Sequence, residues 1–199
     1  MKKLETARDL QTRLSVILQT VEREFLPLSN EQLRWKPTDN RPSPGWSIVE
    51  CLQHLNLAER YYIRNLQHKV ATLGLSQTQP TDQALESDWV GKAMLYVVDP
   101  QVKMKFPAPG IIRPRSAADL DPEAVLAQFN ELQTLLHTLL DKAVYLDWNQ
   151  EKVASLFGQW LKIRLGDTFR MLVAHTERHL NQALRAKTER AALADSTHS

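Results

Sequence analysis

Apolar residues recur every three or four positions in four separate stretches of this chain, and that period commits most of its length to amphipathic helices. The first stretch runs from about Leu4 to Phe25, with Leu10, Leu14, Ile17, Leu18, Val21 and Phe25 on one face. The second is expected to start at Ser47, which with Glu50 three residues on makes a capping-box pattern, and to stop near Gly74. Its stripe is Ile48, Leu52, Leu55, Tyr62 and Leu66, on a helix of ~39 Å. The third opens on Asp121-Pro122-Glu123: an N-cap, a proline at the first helical position and an acid in the first turn. Val125, Phe129, Leu132, Leu136, Leu139 and Leu140 follow on its buried face. The fourth begins after Phe157-Gly158 and runs from about Leu165 to the region of Arg190, carrying Phe169, Leu172, Val173, Leu180 and Leu184. Residues 190–199 read as a frayed tail.

Two connectors break the pattern. Between Leu26 and Trp46, Ser29-Asn-Glu-Gln32 reads as a short capped turn, and Pro37, Pro42 and Pro44 exclude a long helix. The second connector, Leu75 to Leu120, is too long to stay structureless in a compact domain. Asp88 to Val98 is expected to form a short helix there, while Phe106-Pro-Ala-Pro-Gly110 and Arg113-Pro114 extend or turn. A crossover of this length frees helices two and three from being adjacent antiparallel neighbours. The expected fold is therefore all-α: a single domain over residues 1–199, built as a four-helix bundle with a long crossover between helices two and three.

Composition narrows the function classes. A chain of 199 residues is long enough for one full core. Only six glycines are present, and neither a dinucleotide-binding nor a P-loop glycine pattern occurs. The net charge of +2 gives no electrostatic reason to expect nucleic acid or an anionic membrane as partner. No apolar run is long enough to span a bilayer. The start, Met-Lys-Lys-Leu-Glu, lacks the apolar segment of a signal peptide. The lone cysteine, Cys51, excludes an internal disulfide, so a reducing, cytoplasmic setting is expected.

Chemistry concentrates in Ala174-His175-Thr-Glu-Arg-His179-Leu-Asn-Gln182. Histidines at i and i+4 share one helix face and can share a metal ion. Thr176 stands where the zincin motif requires glutamate, which excludes that protease pattern. A third ligand has to come from another helix. His54 is the best placed, flanking the apolar stripe of helix two on the face of Ser47, Glu50, Ala58 and Tyr61. His68 lies too far along, His137 is alone on helix three and His198 is in the tail.

The stretch Trp46-Ser-Ile-Val-Glu-Cys-Leu-Gln-His54-Leu, followed about 120 residues later by His175-x-x-x-His179-Leu-Asn-Gln182, resembles the DinB/YfiT superfamily of metalloproteins. The Pro-containing crossover, the Phe157-Gly158 turn and Leu33-Arg-Trp-Lys-Pro37 extend the likeness over nearly the whole chain. The resemblance implies a four-helix bundle, one divalent metal ion (nickel, zinc, manganese or iron) on His54, His175 and His179, and a homodimer. It also implies a small-molecule or thiol substrate, with hydrolase or thiol-transferase chemistry. Histidine ligands alone do not select among these metals.

Other polar residues admit two readings each. Glu50 is either an acid beside His54 or the capping-box partner of Ser47, and the cap explains it better. Cys51 reads as a small, partly buried hydrophobe. Trp46 reads chiefly as an apolar anchor at the helix entry. Lys103, Lys105, Arg113 and Arg115 form either an anion grip or a solvated basic loop, and Arg178 sits between the two histidines with its direction open. No general base is evident. That leaves a non-enzymatic, stress-related bundle with a structural or sensory metal as the alternative to a metalloenzyme.

Overall fold

The computed structural model describes residues 1–37, 45–74, 79–102 and 107–196. Its helices are α1 (Lys3–Glu24), α2 (Asn30–Arg34), α3 (Ile48–Leu73), α4 (Trp89–Val98), α5 (Pro122–Ala143) and α6 (Leu165–Ser196). Short 3-10 turns at Gly110–Ile112 and Ala117–Asp119 lie between α4 and α5.

Local chemistry sets the helix ends. Ser29 and Gln32 close a full capping box on α2, and Ser47 and Glu50 do the same on α3. Asp88 caps α4 through the Gly91 amide, and Asp121 caps α5 through the amides of Glu123 and Ala124. Helix α3 ends at Gly74, whose φ of +57° suits a residue without a Cβ. Lys2, the N-cap of α1, makes no side-chain cap. The entry to α1 is fastened to the crossover instead, by Lys3 N–H to the Gln83 carbonyl and Leu85 N–H to the Met1 carbonyl. Helix α6 continues to Ser196, past the point where the sequence suggests fraying.

The four long helices share one core. Helices α1 and α3 each pack against both α5 and α6. Side-chain bonds give their directions. Arg13 pairs with Glu177 and Glu24 with Lys187, so α1 and α6 run parallel. Asn56 bonds the Val125 carbonyl and Glu59 bonds Gln133, so α3 and α5 are also parallel. Glu59 to Thr176 and His54 to His175 and His179 set α3 against α6 in the opposite sense. The crossover thus carries the chain back along the molecule, making α5 a parallel neighbour of α3.

The all-α expectation needs one correction. Residues Lys152–Ser155 (β1) and Gly158–Arg164 (β2) form an antiparallel hairpin that leads into α6. Val153 pairs with Ile163 and both are buried. The turn needs Gly158: its φ is +131°, and a Cβ there would lie 2.6 Å from the Trp160 ring nitrogen. The hairpin is held to α3 by the Tyr61 hydroxyl, which donates to the Ser155 carbonyl, and by Leu156 N–H, which donates to the Tyr62 hydroxyl. Among the described residues no helix is long and apolar enough to cross a membrane.

Candidate metal centre

The second turn of α3 and the middle of α6 meet at three imidazoles. His54 is only 3% exposed, and His175 and His179 are half-buried. The ring centroids of the three lie 4.5–5.0 Å apart, at interplanar angles of 61–86°. The Nε2 atoms of His54 and His175 are 3.1 Å apart, and one ligand nitrogen from each ring falls within 4.8 Å of the others. A cation bound at about 2.1 Å from each nitrogen places tetrahedral neighbours about 3.4 Å apart, so the cluster fits one ion.

Hydrogen bonds on the outer side of two rings decide which nitrogen faces inward. His54 Nδ1 lies 2.7 Å from the Ile112 carbonyl oxygen, which can only accept, so the proton sits on Nδ1 and Nε2 is left bare. His179 Nδ1 lies 3.1 Å from Gln182 Oε1, and the same logic leaves its Nε2 bare. Burial, opposed by the Ile112 bond, lowers the pKa of His54. Burial and then the neighbouring His179 hold His175 well below the usual range. Burial and His54 bring His179 down to about 3. The rings are neutral at physiological pH, the state in which imidazole binds a metal.

His54 is expected beside the core, yet it is buried. The reason is tertiary: the crossover lies along that face of α3. Ile112 O meets His54, Arg115 N–H donates to Gln53 Oε1, and Ala117 N–H donates to Glu50 Oε1. Trp46 does more than anchor the helix entry. Its indole lies 5.0 Å from the His54 ring and stacks on His179 at 5.7 Å, forming a wall of the site.

The remaining expected residues fall into place around the rings. Glu50, 3% exposed, caps α3, pairs with Lys36 at 2.8 Å and receives Ala117 N–H, so its oxygens are committed away from the imidazoles. Cys51 is fully buried, and burial with the Glu50 charge raises its thiol well above the usual range, which agrees with its reading as a small hydrophobe. Arg178 donates to the carbonyls of Asp99 and Val102, tying the end of α4 to α6. His68 is exposed, and His137 lies 3.8 Å from Asp141 on α5. Arg113 and Arg115 are exposed, whereas Lys103, Lys105, Pro42, Pro44 and His198 lie outside the described residues.

Sequence reasoning missed a buried polar knot one layer below. Glu59 is fully buried and accepts from Thr176 Oγ1 at 2.6 Å and from Gln133 Nε2 at 2.5 Å. Burial pushes its carboxyl up to about 7 against both of those bonds. The signal was present: Glu59 falls in the stripe of Leu52, Leu55, Tyr62 and Leu66, and Gln133 and Thr176 fall in the stripes of their own helices. A charged residue at a core position of a helical pattern requires a buried partner.

A family model described as the DinB superfamily matches residues 13–183, a span that contains all three histidines. No curated protein and no solved structure gives a significant match.

Proposed function

The chain belongs to the DinB superfamily, and from that membership and the geometry of the three imidazoles we propose that it is a metalloenzyme in which His54, His175 and His179 hold one divalent cation. In this reading α1, α3, α5 and α6 are the four-helix bundle that frames the centre. The observation that carries it is the pairing of the Nδ1 atoms of His54 and His179 with Ile112 O and Gln182 Oε1, which leaves their Nε2 atoms bare, in a cluster where one ring nitrogen of each histidine lies within 4.8 Å of the others. Such outer hydrogen bonds orient the ligands of metal sites and fix their tautomers.

A divalent cation held by these three histidines would supply Lewis-acid chemistry, lowering the pKa of a water or a small thiol for attack on an electrophile. The protein's own contribution is placement. Ile112 and Gln182 fix two rings, Trp46 shields one side from water, and Thr176 and Arg178 hold the intervening turn of α6 to α3 and α4. The substrate class that fits is a hydrolysable small molecule or a low-molecular-weight thiol with its electrophile.

The test is metal analysis of protein purified without a histidine tag, with His54→Ala and His179→Ala alongside and circular dichroism as the control for folding. The expected result is about one equivalent in the wild type, lost in both variants while the helical spectrum is unchanged. Metal content that survives both substitutions would sink the assignment. Turnover of thiol or ester substrates that appears only with metal supports the enzymatic reading. Metal binding with no turnover favours the structural or sensory alternative.

A further inference from the structure

On the face of α3 that meets α5, away from the imidazoles, lies a cleft of about 370 Å³. Asn56, 2% exposed, is one of the residues that line it. Its Nδ2 donates to the Val125 carbonyl at 2.9 Å, and its Oδ1 is buried with no hydrogen-bond partner among the described residues. A buried acceptor left unpaired costs about 1–3 kcal/mol, so a donor from outside the chain would be favoured there. Arg60 of α3 and Arg115 of the crossover line the same cleft, and neither guanidinium has a hydrogen-bond or salt-bridge partner among the described residues. The first turn of α5 adds the positive end of a helix dipole. One acid, Asp121, also lines the cleft, and its Oδ1 is committed to capping α5.

We propose that this cleft binds a small organic anion that also carries a hydrogen-bond donor. The carboxylate or phosphate group lies between Arg60 and Arg115, whose planar donor forks suit such oxygens. A hydroxyl or amino group of the same ligand donates to Asn56 Oδ1. The site is separate from the metal centre but mechanically joined to it. The backbone N–H of Arg115 is held by Gln53, next to His54, and Ile112, three residues before Arg115, supplies the carbonyl that orients the His54 ring. A ligand that clamps Arg115 therefore steadies the segment that aims His54.

The test uses isothermal calorimetry on the full chain with citrate and glycerol 3-phosphate as the hydroxylated probes and acetate as the probe without a donor. The wild type is expected to bind at least one hydroxylated probe in preference to acetate. Arg60→Ala and Arg115→Ala, both surface changes, are expected to weaken that binding at least about tenfold each. His179→Ala, which removes a proposed metal ligand on α6 whose hydrogen bond is to Gln182 and not to the crossover, is expected to bind as the wild type does, which separates this site from the metal assignment. Hydrogen exchange at the amides of residues 115–117 is expected to slow with the probe present. No binding by either hydroxylated probe, or equal binding after both arginines are removed, overturns the site. Exchange that does not change on binding overturns the coupling to His54.

Discussion

Glu59 is the residue whose burial most shapes how this protein responds to pH. Its carboxyl is raised from an ordinary 4.5 to about 7 by burial. A raised folded-state pKa means that the folded protein holds a proton the unfolded chain would release. The stabilisation is complete below about pH 4.5 and is lost as pH rises through about 7. Glu59→Gln removes this dependence. The glutamine can accept from Thr176, and Gln133, whose Oε1 has no partner among the described residues, can rotate its amide to accept in turn. Urea unfolding of both proteins at pH 5 and pH 8 is expected to show the variant gaining up to ~3 kcal/mol on the wild type over that range. A constant difference across pH would show that Glu59 ionises normally. The three imidazoles have the opposite sign. Their lowered pKa values make stability complete above about pH 6.5 and progressively lost below it, so the comparison with the variant, not the wild-type curve alone, isolates Glu59.

At the scale of elements, the contact of α4 with α6 depends on the absence of a side chain at Gly91. A Cβ there would meet Asp167 Oδ2 at 2.0 Å and Cγ at 2.7 Å. Asp167 is 3% exposed and is held by Ser87 at 2.6 Å and Arg170 at 3.1 Å, so it has little room to yield. Gly91→Ala is expected to cost about 1–3 kcal/mol by overpacking. Adding Asp167→Ala should return part of that cost, which a double-mutant cycle by thermal unfolding measures as a coupling. Strictly additive losses would mean that the two helices do not press on each other at this point. The hairpin is a second element-scale lesson. After Phe157-Gly158, Leu161 and Ile163 alternate with Lys162 and Arg164, a strand signal that is readable but short beside the helical pattern following it.

For the whole molecule, the proposed metal centre would act as a clasp between antiparallel helices far apart in sequence. An ion that binds the folded chain and not the unfolded one adds about 2.7 kcal/mol at a free concentration one hundred times its Kd. Scanning calorimetry with and without added zinc or nickel is therefore expected to show a higher Tm with metal. His54→Ala should abolish the shift, because it removes the proposed ligand on α3. A shift that persists in His54→Ala would place the stabilising metal elsewhere. The ion pairs Arg13–Glu177 and Lys187–Glu24 hold α1 alongside the same helix that carries two of the three histidines.

By itself the sequence determined the four long helices, their caps at Ser47 and Asp121, the short helix after Asp88 and the pairing of His175 with His179. These depend on period and on neighbours within a few residues, so local physics suffices to read them. It also singled out His54 as the candidate third ligand, through its place beside the apolar stripe of its helix and then through a spacing shared with a known family. Tertiary structure alone decided that α5 lies parallel to α3, that the crossover buries His54 beneath Ile112, that Trp46 walls the site and that Glu59, Gln133 and Thr176 meet. Each of those contacts joins segments many residues apart, and a helical period places a residue on a face without saying what that face will meet.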